Sequence, residues 1–119
     1  MNKIEFVESI KKRTKQLAVK IIIFYNNLNK TDSTIIIGKQ LIRSVTSTAA
    51  NYRAACLSRS KKEFYSKISI VVEEADETLF WLEILKDSKL AKMENLNPLI
   101  NESLEIVKIV SKARKNTNI

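Results

Sequence analysis

The scarcity of glycine and proline constrains the fold of this chain more than any other feature. Gly38 and Pro98 are the only residues of these two types in 119 residues. All-β architectures need frequent tight turns, and those turns depend on glycine and proline. Hydrophobic residues make up 45% of the chain and charged residues 29%, a balance typical of globular proteins. The composition therefore predicts an all-α protein, and the length fits one domain over residues 1–119.

Hydrophobic periodicity predicts four helices in this domain. Apolar residues recur at spacings of three and four, and polar clusters separate the runs. The predicted helices cover residues 3–28, 34–57, 61–86 and 97–114. Because short connections make successive long helices antiparallel, the expected architecture is an up-down-up-down four-helix bundle.

The third predicted helix has the most regular pattern. Ser60 and Glu63 predict a capping box at its start. Its apolar positions then alternate spacings of four and three, which is a heptad seam: Phe64, Ile68, Val71, Ala75, Thr78, Leu82 and Leu85. Asn97 and Pro98 predict the N-cap and first residue of the fourth helix. The predicted buried face of that helix consists of Leu99, Ile100, Leu104, Val107 and Val110, and the stripe of the first helix begins at Phe6.

The residue types present argue against an active site. The chain has no histidine, which excludes Ser–His and Cys–His nucleophile pairs and the metal sites that need imidazole. The acids Glu73, Glu74, Asp76 and Glu77 raise the alternative of a carboxylate metal site, but pairing with a base such as Arg43 across a helix contact is favoured. We therefore expect a non-enzymatic protein without catalytic residues, metal or cofactor.

The sequence also favours a cytoplasmic protein with no membrane partner. Its longest apolar run, residues 21–25, is too short to span a bilayer. No signal peptide is visible at the N-terminus, and the lone cysteine, Cys56, suits a reducing compartment. Cys56 is expected to serve as a small apolar residue of a helix.

Basic residues concentrate at one end of the predicted bundle, which we call the basic end. It combines residues 1–16, 52–68 and 107–119, which hold 14 of the 21 Lys and Arg residues but only 3 of the 13 acids. Such segregation favours an anionic partner, although an ordinary solvated surface is the alternative. The residues predicted to contact nucleic acid are Lys11, Lys12, Lys15, Arg53, Arg59, Lys61 and Lys62.

Several large apolar residues lie off the predicted core stripes. Helical geometry places them on the far sides of the third and first helices, mostly toward the end opposite the basic end. A second apolar face of this kind indicates an interface between subunits. The predicted interface residues are Ile70, Phe80, Trp81, Ile84, Val19 and Ile23. The alternative is that the connection over residues 88–96 covers Phe80 and Trp81.

The stretch from Gln40 to Leu85 resembles the bacterial four-helix bundle proteins called 23S ribosomal RNA intervening-sequence proteins. The resemblance rests on Gln40, Arg43, Ser44, Ser47, the run from Ala50 to Arg53, Ala55, Ser60, Phe64, Lys67, the run from Glu73 to Glu77, and the run from Trp81 to Glu83. It implies a four-helix fold and homo-pentamers. A related group, the accessory proteins of diversity-generating retroelements, partners a reverse transcriptase and nucleic acid. Ala54 stands where the family usually has an acid, so no role of that acid carries over.

Two functional hypotheses follow from these features. The leading one is an oligomeric module that binds the nucleic-acid backbone, RNA being favoured, because a basic face gains affinity through counterion release. The alternative is a protein-interaction scaffold or accessory subunit, whose basic surface docks an acidic protein such as a polymerase.

Overall fold

The structure is a four-helix bundle, seen in a computed structural model that describes residues 1–118. Its helices are α1 (Lys3–Asn27), α2 (Asp32–Ala55), α3 (Lys61–Asp87) and α4 (Met93–Lys115). α2 and α4 each pack against both α1 and α3, whereas α1 and α3 lie on opposite sides of the bundle. No strand occurs in the described part of the chain. The predicted all-α fold is therefore confirmed, with α1 and α3 both beginning at the basic end.

Polar side chains cap the N-termini of three of the helices. The Asn2 and Ser60 side chains accept hydrogen bonds from the backbone N–H groups of Glu5 and Glu63, at the starts of α1 and α3. The reciprocal capping box lies at the start of α2, between Thr31 and Thr34. Ser60 supplies only half of the box predicted at α3, because the Glu63 carboxylate pairs with Lys67 at 3.1 Å instead.

Helix α4 begins at Met93, earlier than the predicted start at Asn97, and Pro98 lies inside it. Pro98 is the sixth residue of the helix and has no N–H to donate to the Glu94 carbonyl, so one helical hydrogen bond is missing there. The earlier start buries Leu96 completely. The predicted face of α4 was partly wrong, since Leu104 is 39% exposed. The buried positions are instead Leu96, Leu99, Ser103, Ile106 and Val110.

The core runs the full length of the bundle along the predicted seam of α3. Six of the seven seam positions are buried, and Phe64, at the basic end, is half-buried. Small residues of α2 let α3 approach closely, and the hydroxyl groups of Ser44 and Thr78 lie 3.0 Å apart in this contact. The predicted stripe of α1 holds from Ile10 onward, but Phe6 is 45% exposed.

The α3–α4 connection begins with a Schellman motif. The backbone N–H of Leu90 donates to the Leu85 carbonyl, and that of Lys89 donates to the Lys86 carbonyl, both at 3.1 Å. Lys89 has a φ of 58°, in the left-handed region where glycine is favoured. The turn places Leu90 and Ala91 against the core. It leaves Phe80 48% exposed, so the connection does not cover that ring.

Candidate nucleic-acid interface

Four of the seven predicted contact residues line one groove between α1 and α2, which we call the basic groove. Lys11, Lys12 and Lys15 follow one side of α1, and Arg53 faces them from the last turn of α2. The groove encloses about 740 Å³. Three alanines, Ala18, Ala49 and Ala50, line the groove together with Val19, Ile22 and Thr46. The fold thus brings together cations that lie far apart in the sequence.

Most cations of the basic groove are free to meet an anionic partner. Lys11 Nζ lies 3.0 Å from Glu8 Oε1. Within residues 1–118, no carboxylate lies within ion-pair distance of Lys12, Lys15 or Arg53, and all three are exposed. Their charges are therefore available to neutralise phosphates.

The other three predicted contact residues lie at the start of α3, below the groove. Arg59 is almost fully exposed, and its Nε lies 3.5 Å from Glu63 Oε2. Glu63 also accepts a hydrogen bond from Lys67, and these two cations lower the pKa of its carboxyl group. Lys61 and Lys62 are exposed and have no acidic partner in the described part of the chain. The seven predicted contact residues thus fall into two groups: four line the basic groove, and three form a cluster at the start of α3.

Two other arginines of this end hold the bundle together. Arg13 of α1 makes two hydrogen bonds, of 3.0 and 2.6 Å, to the Glu102 carboxylate of α4. Arg114 of α4 donates to the Ser69 hydroxyl at 2.8 Å and lies over the Tyr65 ring. Both guanidinium groups therefore act inside the subunit.

The predicted pairing of Arg43 with acids of α3 is present. Arg43 Nη1 lies 3.0 Å from Glu74 Oε2, and Nη2 donates to Glu77. The Trp81 indole N–H also donates to Glu77, and this bond is the main reason why the pKa of Glu77 is lowered. Among the described residues, no three potential ligands of the types His, Cys, Asp and Glu form a metal-binding group. Of the four acids, Glu74 and Glu77 are partners for Arg43, whereas Glu73 and Asp76 are exposed.

The predicted interface residues lie on two opposite sides of the bundle. Ile70 and Phe80, on α3, are 44% and 48% exposed. Ile84 and Trp81 are half-buried, and the Trp81 ring meets the Phe80 ring edge-on at 5.0 Å. Val19 and Ile23 are 47% and 55% exposed, but they lie on α1, which does not touch α3. A single continuous patch is therefore excluded, and each side presents its own apolar surface.

These two sides carry opposite charges. Between Glu8 and Asp32 the chain has no acid, so α1 presents only cations around Val19 and Ile23. Between Lys67 and Lys86 it has no base, and the exposed charges of α3 there are Glu73, Asp76 and Glu83. We call the surface around Val19, Lys20 and Ile23 the α1 outer face, and that around Glu73, Phe80, Glu83 and Ile84 the α3 outer face.

A pocket at the basic end was missed by the sequence reasoning, which placed Phe6 in the core. We call it the end pocket; it encloses about 640 Å³ between the ends of the four helices. Its apolar lining includes Phe6, Tyr52, Cys56 and Phe64, and cations lie at its edge. Burial raises the pKa of the Cys56 thiol and of the Tyr52 phenol, so both groups are neutral at pH 7. No sequence signal marks this pocket, because the periodicity of α1 includes Phe6 and the exposure of the ring arises only in the folded bundle.

Comparisons with known proteins agree on one family. Residues 8–112 match the family described as 23S rRNA-intervening sequence protein. The fold is similar to a crystal structure from Bacteroides thetaiotaomicron, a protein of unknown function from the S23 ribosomal protein family. The two are 32% identical, with a TM-score of 0.83, over 92% of this chain and 98% of that one. No curated protein matches the sequence. No helix in the described residues is both long and apolar enough to cross a membrane.

Proposed function

We propose that this chain, which belongs to the 23S rRNA-intervening sequence protein family, is a non-enzymatic module that binds the nucleic-acid backbone as an assembly of identical subunits. The observation that carries the proposal is the basic groove, where exposed and unpaired cations from α1 and α2 converge. Lys61 and Lys62 extend this positive surface around the basic end. Such a surface binds phosphates by releasing counterions and needs no base readout.

RNA is the favoured nucleic acid. The family description names an intervening sequence of 23S rRNA. A basic surface alone attracts either RNA or DNA, so the preference rests on that description. Binding by charge is weak for one subunit, with dissociation constants of roughly 1–100 µM at physiological salt. Several identical surfaces on one assembly would act together and raise the avidity.

A non-enzymatic role fits the chemistry of the site. The sequence has no histidine to serve as a general base. The Cys56 thiol has a raised pKa, which makes it a poor nucleophile. The exposed cations of the basic groove are suited to binding an anion.

The assembly is proposed to form by contact of the α1 outer face with the α3 outer face of the next subunit. Both faces are apolar at their centres, and their charges are opposite. At ~1.5 Å per residue, Val19 and Ile23 lie about 24–30 Å along α1, and Phe80 and Ile84 lie about 28–35 Å along α3. Since both helices begin at the same end, the faces lie at similar heights. That match favours a closed ring over an open filament, and the family resemblance implies five subunits.

A comparison of two triple variants tests the nucleic-acid proposal. Arg53, Lys61 and Lys62 are exposed at the basic end, and reversing them to Glu should weaken binding of a labelled RNA at least tenfold by fluorescence anisotropy. The matched control reverses Lys39, Lys86 and Lys92, which are also exposed but lie toward the other end. The control should lose much less affinity. Equal losses would show a bulk charge effect, and absence of wild-type binding to RNA or DNA at ~50 mM salt would favour docking of an acidic protein.

A further inference from the structure

The end pocket joins an apolar lining to a basic edge. Phe6 is 45% exposed at the start of α1, and Phe64 contributes a second ring from α3. Arg59 and Lys61 line the same pocket. Phe6 thus presents an aromatic ring to solvent beside these cations. Beside phosphate-binding cations, an aromatic ring is a stacking surface for a nucleic-acid base.

A buried hydroxyl group adds a polar feature to this pocket. Ser58, in the α2–α3 connection, belongs to the lining. Its Oγ is the one buried side-chain nitrogen or oxygen atom in the described residues that has no hydrogen-bond partner. Leaving such a group unpaired is unfavourable, and a hydroxyl group both donates and accepts hydrogen bonds. Because Ser58 lines the pocket, rotation about its χ1 angle would bring the hydroxyl group to the polar edge of a ligand that stacks on the rings.

We infer that the end pocket takes one unstacked base of a single-stranded nucleic acid. Phe6 and Phe64 would contact the face of the base, Ser58 would bind its polar edge, and Arg59 and Lys61 would hold the adjoining phosphates. A base inside a duplex is already stacked and paired, so it is not available to enter the pocket. The inference rests on the proposed nucleic-acid binding and narrows it to single strands.

The experiment compares a single-stranded RNA with a blunt-ended RNA duplex that has the same number of phosphates and no loop. The full chain should bind the single strand at least tenfold more tightly. Phe6→Ala should weaken single-strand binding roughly 5- to 150-fold, the range for losing one base–aromatic stack, and leave duplex binding unchanged. Leu104→Ala is the matched control, because that apolar side chain is 39% exposed on α4, outside the end pocket and both outer faces, and it should change neither affinity.

Ser58→Ala provides a second variant that does not threaten the fold. It should lower single-strand affinity several-fold without lowering Tm, because the hydroxyl group has no partner in the free protein. Equal affinity for both RNAs, or equal effects of Phe6→Ala and Leu104→Ala, would overturn the base pocket while leaving backbone binding intact. A wild-type protein that binds neither RNA would contradict both the base pocket and the proposed backbone binding. If the protein binds decanoate, Phe6→Ala abolishes that binding, and the protein shows no preference for single-stranded RNA, the pocket is instead a site for apolar carboxylic acids.

Discussion

Trp81 donates its indole N–H to the Glu77 carboxylate at 3.0 Å, on the oxygen that also accepts a hydrogen bond from Arg43. One carboxylate thus fixes both the helix contact between α2 and α3 and the orientation of the indole ring. Trp81 in turn packs edge-on against Phe80 of the α3 outer face. Hydrogen bonds inside the subunit therefore fix the position of Trp81, which packs against a residue of the proposed subunit contact.

The hydrogen bonds to Glu77 predict that part of the free energy of unfolding is lost at acidic pH. Its pKa is lowered in the folded state, so the unfolded chain binds its proton more readily. Its contribution is complete above the ordinary value of 4.5 and is lost as the pH falls through the lower, folded value. Glu77→Gln should lower Tm at pH 7 and reduce the Tm loss between pH 5 and about pH 3. Glu105→Gln, at an exposed position of α4 outside both outer faces, is the matched control and should leave the Tm at pH 7 unchanged.

The register of α4 predicts a contrast between two apolar residues two positions apart. Ile106 is 1% exposed, whereas Leu104 is 39% exposed. Ile106→Ala should lower the free energy of unfolding by about 2–5 kcal/mol, because it removes buried methyl groups and leaves a cavity. Leu104→Ala should cost under about 1 kcal/mol. Urea denaturation measures both, and the reverse order would show that the α4 seam is misassigned.

The Schellman motif predicts a stabilising substitution at Lys89. A left-handed conformation costs an L-residue about 1–2 kcal/mol relative to the right-handed one, and glycine avoids most of that cost. Lys89→Gly should therefore raise the free energy of unfolding by about 0.5–1 kcal/mol. Lys86→Gly, inside α3, should lower it by roughly the same amount because glycine is a poor helix former. A destabilised Lys89→Gly protein would contradict the left-handed turn.

The two outer faces predict a directional assembly. Val19→Glu should disable the α1 outer face and Phe80→Glu the α3 outer face, so each variant alone should be monomeric by light scattering. Mixed together, each retains one intact face, and the mixture should form a one-to-one dimer. If each contact instead used the same face on both subunits, the two variants would not pair with each other in the mixture. A wild type that is monomeric at micromolar concentration would end the assembly proposal.

The sequence predicted the fold more completely than the site, for physical reasons. The apolar residues of the α3 seam recur at alternating spacings of four and three residues without interruption. Only one face of α3 can therefore be the buried face. In α4, Ser103 occupies a core position while Leu104 beside it is exposed, and the apolar residues alone favoured the wrong register. The Asn97–Pro98 pair marked a helix start that burial of Leu96 moved upstream.

The basic groove could be predicted only in part. Charge counting identifies the basic end, but it does not reveal which cations already have partners. Arg13 pairs with Glu102, 89 positions away, and that contact exists only in the folded bundle. Likewise, the periodicity of α1 includes Phe6, but the bundle ends before the ring is covered. Pairing and exposure at helix ends are properties of tertiary structure.

The salt dependence of RNA affinity tests the central proposal most directly. Log K should fall linearly with log salt, by roughly 0.7 for each single-strand phosphate neutralised. Lys12, Lys15, Arg53, Lys61 and Lys62 would then give a slope of about −3.5. Reversing Arg53, Lys61 and Lys62 to Glu should reduce that slope to about −1.4 or abolish binding at ~50 mM salt. An unchanged slope in that variant, or no wild-type binding at ~50 mM salt, would contradict the account.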